Sequence, residues 1–146
     1  MSDAKERLKK IVEKDRREEN ESSIPKPPSR PTKSILRSHG VLSVDDVDLW
    51  EINEAFAAQV LSCLAAWQDD DFCKEILGYD SAFGRIDHDR LNVDGGAISL
   101  GHPVGTSGNR IVLHLANALK ARGAKRGIAT ECIGGGQGGA MLLEAA

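Results

Sequence analysis

Apolar and polar positions alternate along the second half of the chain in two rhythms. Val47, Leu49, Trp50 and Ile52, broken by Asp48 and Glu51, follow the period of two and predict a strand. Phe56, Val60, Leu61 and Leu64 then return at helical spacing. They predict the buried face of a helix that Asn53 caps and that runs to about residue 67. Residues 69–91 are polar, carry Gly78 and Gly84, and predict a long excursion with one short helix. Residues 93–100 are small, apolar and glycine-bearing. Ile111, Leu113, Leu115, Ala118 and Leu119 predict the inward positions of a second helix over residues 105–121, ended by Gly123. A strand over 127–133, a glycine turn over 134–139 and a last strand over 140–144 complete the pattern. The fold class that follows is α/β, a mixed sheet covered by helices.

Upstream the pattern changes twice. In residues 1–19, Ala4, Leu8, Ile11 and Val12 make a narrow helical stripe, and Glu6 with Lys10 and Glu13 with Arg17 are acid-before-base pairs four apart. This charged extension reads as a solvated surface helix or, alternatively, as a docking helix. In residues 20–31, Pro25, Pro27, Pro28 and Pro31 exclude a helix and predict a semi-rigid linker. Residues 32–38 can form a short helix stopped at Gly40, which opens the body, residues 32–146.

Charge and composition sharpen this division. Residues 1–33 hold ten Lys/Arg and seven Asp/Glu, whereas the net charge of the whole chain is -3. Such a balance argues against a general nucleic-acid binder. No run of eighteen apolar residues is present, and the charged N-terminus resembles neither a secretory signal nor a transit peptide, so no membrane role is expected. Cys63, Cys73 and Cys132 are an odd count, which favours reduced thiols and a cytoplasmic location over a disulfide framework.

Three segments carry candidate chemistry. Asn53-Glu54-Ala55-Phe56-Ala57-Ala58-Gln59 stands at a strand-to-helix junction, where open α/β sheets place ligands. Asn53 is there either a carboxamide aimed at a ligand or only the helix cap. Gly95-Gly96-Ala97-Ile98-Ser99-Leu100-Gly101-His102-Pro103-Val104-Gly105-Thr106-Ser107-Gly108 sets one histidine before a helix N-terminus, a place that suits a neutral imidazole acting as a base or donor. Its spacing matches neither a P-loop nor a dinucleotide fingerprint. Cys132-Ile133-Gly134-Gly135-Gly136-Gln137-Gly138-Gly139 sets a thiol before free backbone N–H groups of the kind that stabilise an oxyanion, or is a structural cysteine before a hairpin. His88, His102, His114 and Cys132 lack partners at metal-ligand spacing, so no metal site is expected.

Taken in order, these three segments resemble the C-terminal signature of the thiolase family, the acetyl-CoA acetyltransferases and 3-ketoacyl-CoA thiolases of fatty-acid metabolism. Residues 32–36 and Asp45-Asp46-Val47-Asp48-Leu49 extend the resemblance over about residues 32–146. The resemblance implies the C-terminal half of the thiolase fold, and acyl transfer by Claisen condensation or thiolytic cleavage of 3-ketoacyl-CoA. Coenzyme A thioesters would be the substrates, with no further cofactor. It implies that His102 activates a nucleophilic cysteine and polarises a thioester oxygen. Cys132 would move a proton at the α-carbon, Asn53 would hold an oxyanion-hole water, the Gly134 N–H would serve the other oxyanion hole, and Phe56 would line the acyl pocket. The related ketoacyl synthases share the fold, but their second half normally lacks a cysteine like Cys132.

The nucleophilic cysteine of that family belongs to its N-terminal domain, which has no match in these residues. Cys63 lies in an apolar helix and Cys73 follows three aspartates that would raise its pKa, so neither replaces it. The expectation is therefore a half-site that turns over only with a separate N-terminal half, and the protein partner expected is such a half or a homo-oligomer. Such a half would be inactive alone and would expose an apolar face. The alternative is a truncated, non-catalytic interaction or binding protein.

Overall fold

The computed structural model describes residues 43–145. The charged extension, the linker and the helix expected over 32–38 lie outside the described residues. Ser43 opens the described part by capping a single turn, Val44–Asp46, through a capping box with Asp46. Strand β1, Leu49–Ile52, follows. Helix α1 is Ala57–Trp67, and a short helix α2, Asp70–Phe72, runs on into a π turn, Cys73–Leu77, ended by Gly78. A second single turn is His88–Arg90. Helix α3 is Ala97–Leu100, and the long helix α4 is Ser107–Arg122, ended by Gly123 with φ 63°. Strands β2, Arg126–Gly134, and β3, Gln137–Glu144, form the closing hairpin.

The sheet order is β1-β2-β3, with β1 parallel and β3 antiparallel to β2. Alternate residues send the two faces of the sheet into two cores. On one face, Trp50, Ile52 and Ile128 pack with Val60 of α1 and with Cys73, Phe83 and Ile86 of the excursion. Trp50, Trp67, Tyr79 and Phe83 form an aromatic cluster there, with ring centroids 5.4–6.1 Å apart. On the other face, Leu49 and Ala129 pack against Ile111, Leu115, Ala118 and Leu119 of α4. Gly127 makes this contact possible, because a Cβ there would stand 2.7 Å from a Leu115 methyl. The α/β class and mixed sheet expected from the sequence are thus present as three layers.

β1 is buried at all four positions, including Glu51, so its polar alternation does not mark a solvent face. Glu51 is accommodated by His114 of α4, whose Nδ1 lies 2.7 Å from Glu51 Oε1 and whose Nε2 lies 3.0 Å from Asp94; Arg122 completes the chain on Asp94 at 3.2 Å. Asp48, just ahead of β1, accepts from the backbone N–H groups of Lys125 and Arg126 at 2.8 Å each, and so joins the starts of β1 and β2. Among the described residues no helix is long and apolar enough to cross a membrane.

Several expectations need correction. α1 begins at Ala57, with Phe56 and not Asn53 at its N-cap, and Phe56 and Leu61 are exposed rather than on its buried face. Leu113 is exposed as well. It stands two residues from Ile111, which at 3.6 residues per turn is the opposite side of α4. The excursion over 69–91 contributes Cys73, Phe83 and Ile86 to the core. β3 begins at Gln137, because Gly134, Gly135 and Gly136 all take positive φ and the reversal needs only Gly135 and Gly136.

Candidate functional site

Asn53 follows the last residue of β1. Its backbone N–H continues the ladder to Thr130 O at 2.9 Å, and α1 starts only at Ala57, four residues on. The residue is 1% exposed, and both polar atoms of its carboxamide are buried without a protein partner. An unsatisfied buried amide costs about 1–3 kcal/mol. Helix capping therefore does not explain Asn53. Gln59, at the other end of the same motif, has its Oε1 buried in the same condition.

Cys132 lies near the far end of β2, two residues beyond Thr130. It is exposed, faces Gly138 across the hairpin, and precedes an irregularity in the register between Cys132 and Gly134. Gly134, with φ 89°, pairs with Gln137 at the turn. Because β1 and β2 are parallel and Ile52 pairs with Thr130, Asn53 and Cys132 lie toward the same end of the sheet.

His102 follows α3 and Gly101. Its Nδ1 lies 2.7 Å from Oγ of Ser107, the fully buried first residue of α4, and that Oγ also reaches Pro103 O at 3.3 Å. The next residue, Gly108, lies against the side chain of Glu131, where any Cβ would collide with the carboxylate. Glu131 directly precedes Cys132. The α4 N-terminus, the His102 loop, the end of β1 and the end of β2 thus meet at one end of the sheet. His102 is engaged with Ser107, and among the described residues no hydrogen bond joins it to Cys132.

The other thiols differ from Cys132. Burial pushes the Cys63 thiol up, and Cys132 adds a smaller contribution. Cys73 is fully buried, with its sulfur between the carbonyls of Ala66 and Trp67 and the Phe83 N–H. Burial raises its pKa, the Phe83 N–H partly offsets this, and Asp69 and Asp70 add smaller upward contributions. Among the described residues no cluster of three or more metal-ligating side chains occurs.

Residues that sequence reasoning passed over also stand here. Glu54 and Asn92 hydrogen-bond to each other at 3.0 Å, and the Glu131 carboxylate lies against Gly108 in the first turn of α4. Glu54 and Glu131 are the immediate chain neighbours of Asn53 and Cys132, a signal available in the motifs themselves. Phe56, Ile98, Leu100, Val104 and Ile133, all within the motif segments, are large apolar side chains left exposed.

Comparison with known proteins bears on these features. The family model described as "Thiolase, C-terminal domain" matches residues 6–145. A 3-ketoacyl-CoA thiolase of Aliivibrio fischeri (strain MJ11) is 43% identical over 117 residues, which is 80% of this chain and 26% of that protein. The crystal structure of the Bacillus anthracis acetyl-CoA acetyltransferase superposes with a TM-score of 0.54 at 42% identity, over 71% of this chain and 22% of that one. An acetyl-CoA acetyltransferase from Syntrophomonas wolfei gives a TM-score of 0.61 at 37% identity, over 79% and 26%. The chain spans about a quarter of the length of the relatives it matches.

Proposed function

The chain belongs to the thiolase family, of which it carries the C-terminal domain, and on that premise we propose that it supplies one half of an acyl-CoA C-acyltransferase site. The observation that carries this reading is Asn53: a fully buried carboxamide with no protein partner, at the sheet end where the His102 loop and Cys132 also arrive. A carboxamide so placed can donate to a thioester oxyanion, directly or through a bound water.

His102 suits the part of base. Ser107 has a single hydroxyl proton, and Pro103 O is placed to take it. The imidazole then carries its proton on Nδ1, toward Ser107, and keeps a lone pair on Nε2. In the reaction proposed, Nε2 takes the proton of a nucleophilic cysteine supplied by an N-terminal half. The thiolate attacks the thioester carbonyl of an acyl-CoA, the carbonyl oxygen bears the charge, and coenzyme A leaves with the proton of the Cys132 thiol. Cys132, left as the thiolate, then removes a proton from the α-carbon of acetyl-CoA. The resulting carbanion attacks the acyl-enzyme and frees the nucleophile, which takes its proton back from His102. The N–H of Gly134 stabilises the second oxyanion, and Phe56 lines the acyl site. Thiolytic cleavage is the same path reversed.

The exposed Phe56, Ile98, Leu100, Val104 and Ile133 support a covering partner, since apolar side chains gathered around a site mark an interaction surface. We assign that place to a nucleophile-bearing N-terminal half or, failing that, to a second copy of this chain. The free thiols suit the reducing cytoplasm.

The test is thiolysis of acetoacetyl-CoA by the chain alone and mixed with a separately expressed thiolase N-terminal half. The chain alone should be silent, and the mixture should turn over. His102→Ala and Cys132→Ser should each lower that rate by about 10²–10⁴-fold, as loss of a general acid or base does. A co-purifying mixture without turnover, or turnover indifferent to both substitutions, overturns the reading.

A further inference from the structure

The open edge of β1 is closed by a side chain instead of a strand. Leu91 makes an isolated parallel bridge with Trp50, and the Asn92 backbone N–H donates to Trp50 O at 2.8 Å. Two residues further along β1, the Asn92 carboxamide takes over. Its Oδ1 accepts the Ile52 N–H at 2.8 Å, and its Nδ2 donates to Ile52 O at 3.0 Å. One amide thus meets both backbone groups of Ile52, the residue just before Asn53. Asn92 holds φ 45°, a left-handed conformation that asparagine tolerates better than most residues, and the chain turns away at once through Gly95 N–H to Asn92 O at 2.8 Å.

Nδ2 carries two protons, and the second goes to Glu54 Oε1 at 3.0 Å. The other carboxylate oxygen, Oε2, accepts the Ile98 N–H at 2.9 Å in the first turn of α3. Gly96 lets the carboxylate in, since a Cβ there would collide with it. α3 then delivers Gly101 and His102. A continuous path, Ile52 to Asn92 to Glu54 to Ile98, therefore joins the strand end that presents Asn53 to the helix that presents His102.

We propose that Asn92 and Glu54 are positioning residues that set the Asn53 carboxamide and the His102 imidazole relative to each other. The importance of that alignment rests on the reading of Asn53 and His102 as parts of one half-site. Loops do not hold such groups rigidly by themselves, and locked hydrogen bonds behind them do. The bonds onto Glu54 are charge-assisted, the stronger kind. The Asn92 amide fits this place by chemistry: it must accept once and donate twice, which neither aspartate nor leucine can do.

The experiment uses NMR on the full chain and its variants N92D, E54A and N92D/E54Q. In N92D the acceptor for Ile52 N–H survives, both donors are lost, and two carboxylates face each other. In E54A the contact with β1 survives and only the link to Ile98 is cut. Both variants should speed Ile98 amide exchange by about tenfold, the value of one such hydrogen bond. Both should also shift the His102 ring and Asn53 side-chain resonances, while the Leu115 and Ile128 amides keep their protection. In N92D/E54Q the new glutamine amide can donate to the new carboxylate and still accept from Ile98, so protection and resonances should return toward those of the parent. Unchanged Ile98 exchange and unchanged His102 and Asn53 signals in E54A overturn the proposal, and so does a double variant no better than N92D. If N92D does not fold, E54A decides alone. These readouts need no turnover, so failure of the positioning role is distinct from failure of the acyltransfer reading, which appears only in the mixed-half assay.

Discussion

β1 and β3 flank the same strand, yet every residue of β1 is buried and none of β3 is. β1 lies between the aromatic cluster on one face and α4 on the other. β3 reaches the packed layers only through Leu142 and Leu143, and its first residues pair with the exposed tip of β2. The division runs along β2 itself: Gly127–Ala129 are buried, and Cys132–Gly134 are exposed. Fold stability is thus concentrated at the start of the parallel pair, and the candidate chemistry sits where the strands emerge from that packing. Cys132 is exposed there, whereas Asn53, just beyond the end of β1, stays buried.

The largest test of this contrast is Trp50→Ala. It removes the ring packed on both Trp67 and Phe83, and should destabilise the chain by about 3–5 kcal/mol in urea unfolding. A loss below about 1 kcal/mol, the size of an average substitution, would mean that β1 is not the mechanical centre of the domain.

A second pair of tests uses pH and two acids three residues apart. Burial raises the Glu51 carboxyl, partly offset by His114 and reinforced by Asp94 and Glu54. The folded state therefore keeps this proton to higher pH than the unfolded chain. The contribution of Glu51 is fully present below its ordinary value and declines as pH rises from there to the raised one. Asp48 behaves oppositely, because the N–H groups of Arg126 and Lys125 lower its pKa. Its contribution is present above the ordinary value and is lost as pH falls through the lowered one. In stability measured from pH 3 to 7, roughly the span over which carboxyl groups titrate, Glu51→Gln should remove a decline toward neutral pH. Asp48→Asn should remove a loss toward acid. Equal slopes in the two variants would refute the assignment of one carboxylate to the packed layer and the other to the strand start.

The smallest effect is expected on the outer strand. Met141 is exposed on β3, and Met141→Ser should change stability by no more than about 0.5 kcal/mol. A larger loss would show that β3 is covered in solution, by a second copy of the chain for example, and the dependence of that loss on protein concentration would identify such cover.

Much of this organisation was legible in the sequence. The period of two found β1, the helical stripe Ile111, Leu115, Ala118 and Leu119 found α4, and Gly123 marked its end. The three motif segments and the family they point to were legible as well. Asn53 misled, since asparagine before an apolar helical run has the form of a cap. Its backbone instead continues the ladder to Thr130 O, and α1 starts only at Ala57, capped by Phe56. The excursion misled because Cys73, Phe83 and Ile86 are spaced too widely among polar residues to show any period.

Local order therefore came from the sequence alone: which stretches are strand or helix, where glycine ends or turns them, and in what sequence the candidate groups appear. These features depend on side-chain period and backbone freedom over a few residues. Tertiary structure alone decided which groups meet. Asn92 closes the edge at Ile52 from 40 residues away, and His114 reaches Glu51 from 63. The Asn53 carboxamide is left buried without a protein partner by neighbours brought in from other elements. A hydrogen bond is formed between atoms near in space, and no periodicity along the chain states which distant residue will be near.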